Sequence, residues 1–130
     1  MLINHSKYSF SDLDDIYHST SVHEMQVKAD LHAVDLADVD VLIYLIGTTT
    51  YHHAFWPHTA KRFTALKNIL RHSHDLPKSK DFKRLKDNVK SRLDECEHGK
   101  WIKSTPGGRQ EIKNIKQVLD ILDNLERNCK

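Results

Sequence analysis

Hydrophobic residues recur at helical spacing along most of the chain, and this pattern predicts a protein built of α-helices. The widest apolar stripe lies over 109–128, where seven apolar residues cover about half of the helix surface. We expect Gly99 to end the helix before it, and 100–108 to form a loop that breaks at Pro106-Gly107-Gly108. The narrowest stripe steps by three or four positions and consists of Phe82, Leu85, Val89, Leu93 and Cys96.

The segment 21–46 allows more than one interpretation. Ser21 and Glu24 have the spacing of a capping box, which predicts the start of a helix. Apolar residues at helical spacing then allow one long helix over the whole segment, although Asp38 falls within its stripe. Such an acid marks a break, a paired buried charge or a site residue. If the helix breaks there, the β-branched residues of 39–46 predict a short buried strand instead.

The middle of the chain predicts a loop followed by two helices. Residues 48–58 carry no formal charge and three large aromatic residues, as in a loop that packs its rings. A helix follows over 59–72, and Ser79 is placed to cap the next one. These elements predict an all-α fold: a single-domain helical bundle of four or five helices, over residues 1–130.

Composition narrows the class of protein further. The 130 residues are 38% hydrophobic and 29% charged, which is close to the usage of globular domains. The two cysteines, Cys96 and Cys129, predict free thiols or at most one bridge in a reducing compartment. The uncharged stretch 41–60 is too polar to cross a bilayer, and residues 1–10 lack the apolar core of a secretory signal. We therefore expect a cytoplasmic protein without membrane contact.

The charge is divided unevenly along the chain. Residues 1–57 contain two basic and eight acidic residues, a net charge of −6, whereas residues 58–130 have a net charge of +8. One explanation is that the acidic part neutralises the basic part within the molecule. The other is that the basic part binds a polyanion or an acidic protein.

The basic helices of 58–92 provide the main functional hypothesis. Cations that lie on the water-facing sides of amphipathic helices are suited to attract phosphates or carboxylates. We therefore expect a non-catalytic binding or regulatory protein that captures a nucleic acid or an acidic protein, with the 109–128 helix supporting the core or a homodimer. The residues expected to bind the partner are Lys61, Arg62, Lys67, Arg71, Lys80, Lys83, Arg84, Lys86 and Lys90.

Two alternatives belong to other functional classes. Arg92 and His98, separated by five residues, resemble the Arg-x4-6-His motif of the HEPN-domain ribonucleases, which are helical bundles of about this length. The resemblance implies an RNA-cleaving enzyme in which these two residues act on the RNA backbone. About one such match is expected by chance in a chain of this composition. The other alternative is a small immunity or antitoxin-type protein that binds its partner through the acidic 1–57 segment.

The ten histidines do not form a ligand pattern for a metal. None of their spacings matches the paired i, i+4 histidines of a zinc helix or a two-plus-two structural zinc site. His74-Asp75 resembles the dipeptide of the HD-domain metal phosphohydrolases, but it lies at an expected helix end just before Pro77. We therefore expect no metal and no other cofactor.

Overall fold

A computed structural model describes residues 8–51 and 57–129, apart from the Trp101 side chain. Within these ranges the chain is helical and has no strand, which confirms the all-α class. The expected number of four or five helices is wrong, because the described residues form seven α-helices. They are α1 (Phe10–Tyr17), α2 (Val22–Leu31), α3 (Val39–Thr49), α4 (Pro57–Arg71), α5 (Phe82–His98), α6 (Lys100–Ser104) and α7 (Pro106–Asn128), with a 3-10 turn at Leu76–Lys78.

Asp38 breaks the segment 21–46 into two helices. It is the N-cap of α3: its carboxylate accepts the Asp40 amide at 2.9 Å, and its carbonyl accepts the Leu42 amide at 3.0 Å. The single long helix and the strand over 39–46 are therefore both wrong. The reversal between α2 and α3 includes Ala33, whose φ of 55° lies in the left-handed region that a continuous helix does not use.

The start of α2 agrees with the sequence pattern. The Ser21 hydroxyl accepts the Glu24 amide at 3.0 Å, and the Glu24 carboxylate accepts the Thr20 amide at 2.7 Å. These two bonds satisfy amides that have no carbonyl partner within the helix. Further upstream, α1 begins after Ser9, whose hydroxyl accepts the Asp12 amide at 3.2 Å.

The boundaries near α4 and α5 differ in detail from the predicted ones. Pro57 is the first residue of α4, so the helix begins two residues before the expected 59–72 segment. The expected aromatic loop lies partly outside the described residues, at 52–56, and α3 extends into it as far as Thr49. Ser79 does not cap α5; the N-cap is Asp81, and the Ser79 hydroxyl instead accepts the Asp81 amide at 3.2 Å.

The segment 100–108 is helical where a loop was expected. Gly99 ends α5 as predicted, in an extended conformation, and the same residue precedes the short helix α6. Helix α7 begins at Pro106 because Thr105 caps it, with its hydroxyl accepting the Gly108 amide at 3.0 Å. Proline at the first helical position leaves no backbone amide unsatisfied, so this proline starts a helix instead of breaking one.

The buried apolar residues form one cluster to which every described helix except α6 contributes fully buried or nearly buried side chains. Helix α7 packs against α4, α5 and α6, and α3 packs against α1, α4 and α5. The wide apolar face of α7 is thus used inside the chain, with Ile115, Val118 and Leu122 fully buried. On α5 the predicted stripe faces the core, although Leu93 is only partly buried.

The structure bears on two further expectations, which concern membrane contact and the state of the two cysteines. No helix within the described ranges is long and apolar enough to cross a membrane. Cys96 is buried and Cys129 is partly exposed, and both are free thiols.

Candidate anion-binding surface

Helix α4 is the longer of two basic helices that have no acidic residue of their own; the other is the five-residue α6. Its sequence, PHTAKRFTALKNILR, holds four cations and no aspartate or glutamate. The core side includes Phe63, Leu66 and Leu70, all 4% exposed or less. The opposite side, spanning about 120° of the helix circumference, contains the outward cations Lys61, Lys67 and Arg71. We call these three residues the α4 cation row.

Lys67 lies at the seam between α4 and α7. Its ammonium group donates to Gln117 Oε1 at 2.9 Å and lies 4.6 Å from the centre of the Phe63 ring. Burial lowers the pKa of Lys67, and the neighbouring positive charge of Arg71 lowers it further. Among the described residues no carboxylate pairs with this ammonium group, so the protein holds a partly desolvated cation without a compensating charge.

The two arginines of α4 have different roles. Arg71 donates to Asn68 Oδ1 at 2.9 Å on the exposed side, which leaves its remaining N–H groups available. Arg62 faces the other way and lies 4.8 Å from the centre of the Tyr17 ring, where it joins α4 to α1. Its Nε is buried with no acceptor among the described residues. Arg62 is therefore a packing residue and does not belong to the outward surface.

The cations of α5 other than Lys90 are paired with carboxylates, unlike those of α4. Lys83 bonds Asp87 at 2.8 Å, and Arg84 bonds Asp40 at 2.8 Å. Hydrogen bonding to these carboxylates raises the pKa of Lys83 and of Arg84. Lys86 is held between two carboxylates of α7, at 2.9 Å from Asp123 and 2.8 Å from Glu126. Much of the positive charge predicted to bind a partner is thus neutralised inside the chain.

The two remaining predicted cations, Lys80 and Lys90, are exposed. The Lys83 hydrogen bond lowers the pKa of the Asp87 carboxyl, and the charge of Lys90 adds to this effect. The charge of Lys90 therefore acts on the Asp87 carboxylate, which already forms an ion pair with Lys83. Of the nine residues predicted from the sequence, three have a carboxylate partner among the described residues, Lys83, Arg84 and Lys86, and six have none: Lys61, Arg62, Lys67, Arg71, Lys80 and Lys90.

The structure places Arg92 and His98 in different surroundings. Arg92 donates to Thr50 Oγ1 at 2.8 Å and to Glu111 Oε2 at 3.2 Å, and its side chain is 22% exposed. His98 is exposed at the end of α5, where its Nδ1 lies 2.7 Å from the Asp94 carbonyl oxygen. The arginine is thus directed into the protein, towards a carboxylate, while the histidine faces solvent.

Cys96 belongs to the same buried polar cluster as Arg92. Its thiol donates to Glu111 Oε2 at 3.3 Å. Burial raises the pKa of Cys96 to about 11, with the Glu111 carboxylate contributing in the same direction. Sequence reasoning missed this cluster, although a signal was present: Glu111 lies one turn before Ile115 on the apolar side of α7.

A groove between α2 and α4 is the main concave surface that sequence reasoning did not identify. Its larger end is an open pocket of about 820 Å³, and its smaller end is a depression of about 400 Å³ beside Lys61 and Thr64. Val22 and Asn68 line both cavities, so the two are adjacent. We call this feature the α2–α4 groove. It runs along the edge of the α4 cation row.

His72 and His74 stand at the large end of this groove. The His72 Nδ1 lies 2.8 Å from the Asn68 carbonyl oxygen, so the proton is on Nδ1 and Nε2 is left for a ligand in the neutral ring. The two imidazole rings are 6.4 Å apart between centres, at 73° to each other. His74 and Asp75 are both exposed, and the described residues contain no group of three side chains suited to hold a metal.

Comparisons of the chain with protein-family models, with curated proteins and with solved structures find no match.

Proposed function

We propose that this protein is a non-catalytic binding or regulatory protein that captures a polyanionic partner, a nucleic acid or an acidic protein, through the α4 cation row. The observation that carries the proposal is the environment of Lys67. A partly buried cation beside a second cation is unfavourable unless an anion approaches it. A phosphate or carboxylate of the partner would supply the missing charge, and Arg71 would bind it with planar N–H donors.

The contrast between α4 and α5 reduces the number of cations that are expected to bind the partner. On α5, an incoming phosphate would have to compete with Asp40, Asp87, Asp123 and Glu126 for cations that these acids already hold. On α4 no such competition exists within the helix, since it contains no acid. We therefore expect Lys61, Lys67 and Arg71 to contribute more to binding than Lys83, Arg84 and Lys86.

The test is the salt dependence of binding to a labelled oligonucleotide, measured by fluorescence anisotropy between about 50 and about 300 mM salt. Each phosphate neutralised contributes about −0.7 to −0.9 to the slope of log affinity against log salt. The double variant Lys67→Gln/Arg71→Gln should reduce the steepness of this slope by about 1.5. The matched control is Lys83→Gln/Arg84→Gln, which removes the same formal charge from two cations of α5 that are already paired with carboxylates.

Two results would contradict the proposal. One is binding that does not change with salt, because phosphate contacts release counterions. The other is an equal loss of affinity in the α4 and α5 variants, since this would indicate attraction by net charge without a defined surface. An acidic polypeptide such as polyglutamate, measured in the same way, distinguishes the two kinds of partner.

A further inference from the structure

The α2–α4 groove adds a second kind of surface beside the α4 cation row. Lys61, Thr64 and Asn68 follow each other along one line of α4, over about 10 Å at the rise of an α-helix. Arg71 reaches the same line through its 2.9 Å bond to Asn68 Oδ1. Because that bond uses the amide oxygen of Asn68, the amide N–H groups of the side chain remain as donors. A chain of phosphates could follow this line.

The pocket at the large end of the groove has a different chemistry. Its wall includes the apolar side chains of Val22, Leu36, Ile69 and Leu76, of which Ile69 and Leu76 are buried. Its volume of about 820 Å³ is within the range of small-molecule sites and exceeds what a single ring system needs. The imidazoles of His72 and His74 provide flat surfaces at the rim. This combination suits an aromatic group.

The charges of the pocket argue against a phosphate inside it. Asp35 and Asp75 both line the cavity, and Lys78 lies 3.6 Å from the Asp75 carboxylate. One oxygen of Asp35 accepts the Ala37 amide at 2.9 Å, which leaves the other oxygen to accept from a ligand. Carboxylates repel phosphate but accept hydrogen bonds from amino groups. The groove is therefore basic along α4 and acidic in the pocket.

We propose that the α2–α4 groove binds single-stranded nucleic acid, with one unstacked, amino-bearing base in the pocket and the phosphates along α4. The base stacks on His72 or His74 and donates its exocyclic amino group to Asp35. This inference rests on the proposed capture of a polyanion by the α4 cation row. It specifies which kind of polyanion binds and which part of that polyanion enters the protein.

A duplex does not fit the same arrangement. Bases within a duplex are paired and stacked, so none can enter a pocket without the cost of leaving the helix. Single strands offer their bases to aromatic side chains and their phosphates to cations at the same time. The groove has these two features side by side, whereas recognition of a duplex uses an element that enters one of its grooves.

The experiment compares three probes on the purified chain: oligoadenylate of about 12 nucleotides, oligouridylate of the same length, and inorganic polyphosphate of similar charge. Polyphosphate has no bases and reports on the α4 cation row alone. We expect oligoadenylate to bind most tightly, because adenine has an exocyclic amino group and uracil has none. A duplex of the same length should bind more weakly than the single strand.

The variants separate the pocket from the cation row. His72→Ala/His74→Ala should weaken oligoadenylate binding about tenfold, the expected order for one stacked base, and leave polyphosphate binding and the salt slope unchanged. His18→Ala/His98→Ala is the matched control, because both residues are exposed and make the same Nδ1 contact to a helix carbonyl as His72. Ala37→Trp, which would fill the pocket from an exposed turn, should have the same effect as the His72/His74 variant.

The outcomes distinguish this inference from the proposed function. If all three probes bind equally and the pocket variants change nothing, the base pocket is wrong while capture of a polyanion stands. If the duplex binds more tightly than the single strand, the base pocket is also wrong. If neither these probes nor polyglutamate binds at about 50 mM salt, both proposals fail. Binding restricted to polyglutamate would exclude a nucleic acid and leave an acidic protein as the partner.

Discussion

At the scale of single residues, several histidines share one structural task. His18, His72 and His98 each stand at the C-terminal end of a helix with Nδ1 at 2.7 or 2.8 Å from the carbonyl oxygen four residues earlier. The backbone amides of His18 and His72 reach the same carbonyl oxygens at 3.2 and 3.3 Å, so the imidazole N–H is a second donor to an acceptor that has two lone pairs. The high histidine content is thus partly explained without a metal.

The two cysteines are expected to differ in reactivity. A thiol reacts as its thiolate, and Cys96 is 4% exposed with its pKa raised to about 11, so at pH 8 it should react much more slowly than Cys129. The reaction with a chromogenic disulfide should therefore show one fast and one slow thiol. Cys96→Ala should remove the slow phase alone. Two thiols of equal rate would contradict the buried cluster.

The same shift gives the folding free energy a pH dependence of defined sign. The unfolded chain releases the Cys96 proton near its ordinary pKa of 9.0, while the folded chain keeps it until about pH 11. Between these values the folded state binds more protons, so this thiol makes the protein less stable as pH rises from about 9 to about 11. Cys96→Ala should show a shallower loss of stability over that interval.

Glu111 is expected to matter for stability because it holds two partners. Its replacement by alanine leaves Arg92 partly buried without its carboxylate and the Cys96 thiol without its acceptor. Loss of one partner of a buried pair costs about 3 kcal/mol, measurable by chemical denaturation. The matched variant Arg92→Met/Glu111→Leu removes both charges and should recover a large part of that loss. An unchanged denaturation midpoint in Glu111→Ala would contradict the structural role.

This role of Arg92 also decides how the ribonuclease alternative is tested. Arg92→Ala would remove both an interhelical ion pair and the bond to Thr50, so loss of RNA cleavage could follow from loss of fold. His98 is exposed, and its replacement leaves the core intact. The informative variant is therefore His98→Ala in a sample that cleaves RNA, with folding checked by circular dichroism.

At the scale of helices, the parts predicted from sequence are those set by short-range patterns. The Ser21 and Glu24 pair and the α5 stripe depend on residues within one or two turns, and they are found as expected. The sequence allowed three interpretations of Asp38, because it does not show whether this carboxylate accepts a hydrogen bond from a nearby backbone amide. Helix α6 was missed because it has only five residues, too few for a periodic signal. In the fold, α6 packs against α7.

A pair of glycine substitutions tests the contact between α6 and α7. A Cβ at Gly108 would overlap the Ile102 carbonyl, so Gly108→Ala should displace α6 and lower the melting temperature. Gly47 lies within α3 with nothing within 4 Å of the added carbon. The same change there should raise stability by about 0.5 to 1 kcal/mol, since alanine is the better helix former. Equal effects at the two sites would contradict the close approach of α6 to α7.

At the scale of the whole molecule, the charge division of the sequence persists in the fold. Among ion pairs between described residues, Arg84 with Asp40 joins the 1–57 segment to the 58–130 segment, while the others lie within one segment. Within the first segment Lys28 pairs with Asp15, and His32 lies between Asp12 and Asp15. The hypothesis of mutual neutralisation therefore has one direct contact in its favour.

Only part of the candidate site could be predicted, because composition is visible in the sequence while contacts between distant residues are not. The concentration of cations in 58–92 is a property of composition, and it was visible in the sequence. Which cations are free depends on partners distant in sequence, as with Lys86 and Asp123 or Arg84 and Asp40. The α2–α4 groove was not predictable, because it exists only where the α4 end and the α2–α3 turn meet.

The unequal charge distribution predicts how the molecules interact with each other. One side has the acids of α1, α2 and the turn before α3, and α4 has cations without acids, so the acidic side of one molecule can attract the α4 cation row of another. Such a contact joins different surfaces, which favours open chains over closed dimers. Light scattering at about 20 mM salt should show weak association that disappears above about 150 mM, as the screening length falls below about 10 Å.

Variants identify the source of this association. Lys67→Gln/Arg71→Gln should reduce it at low salt, while Lys83→Gln/Arg84→Gln should reduce it less, because these two cations are already paired with Asp87 and Asp40. An excess of inorganic polyphosphate should also disperse the complexes, since it competes for the same cations. Association that persists at high salt would instead require an apolar contact. On the apolar face of α7, Ile115, Val118 and Leu122 are already buried within the single chain, so only Ile112 and Leu119, which are partly buried, are left for such a contact.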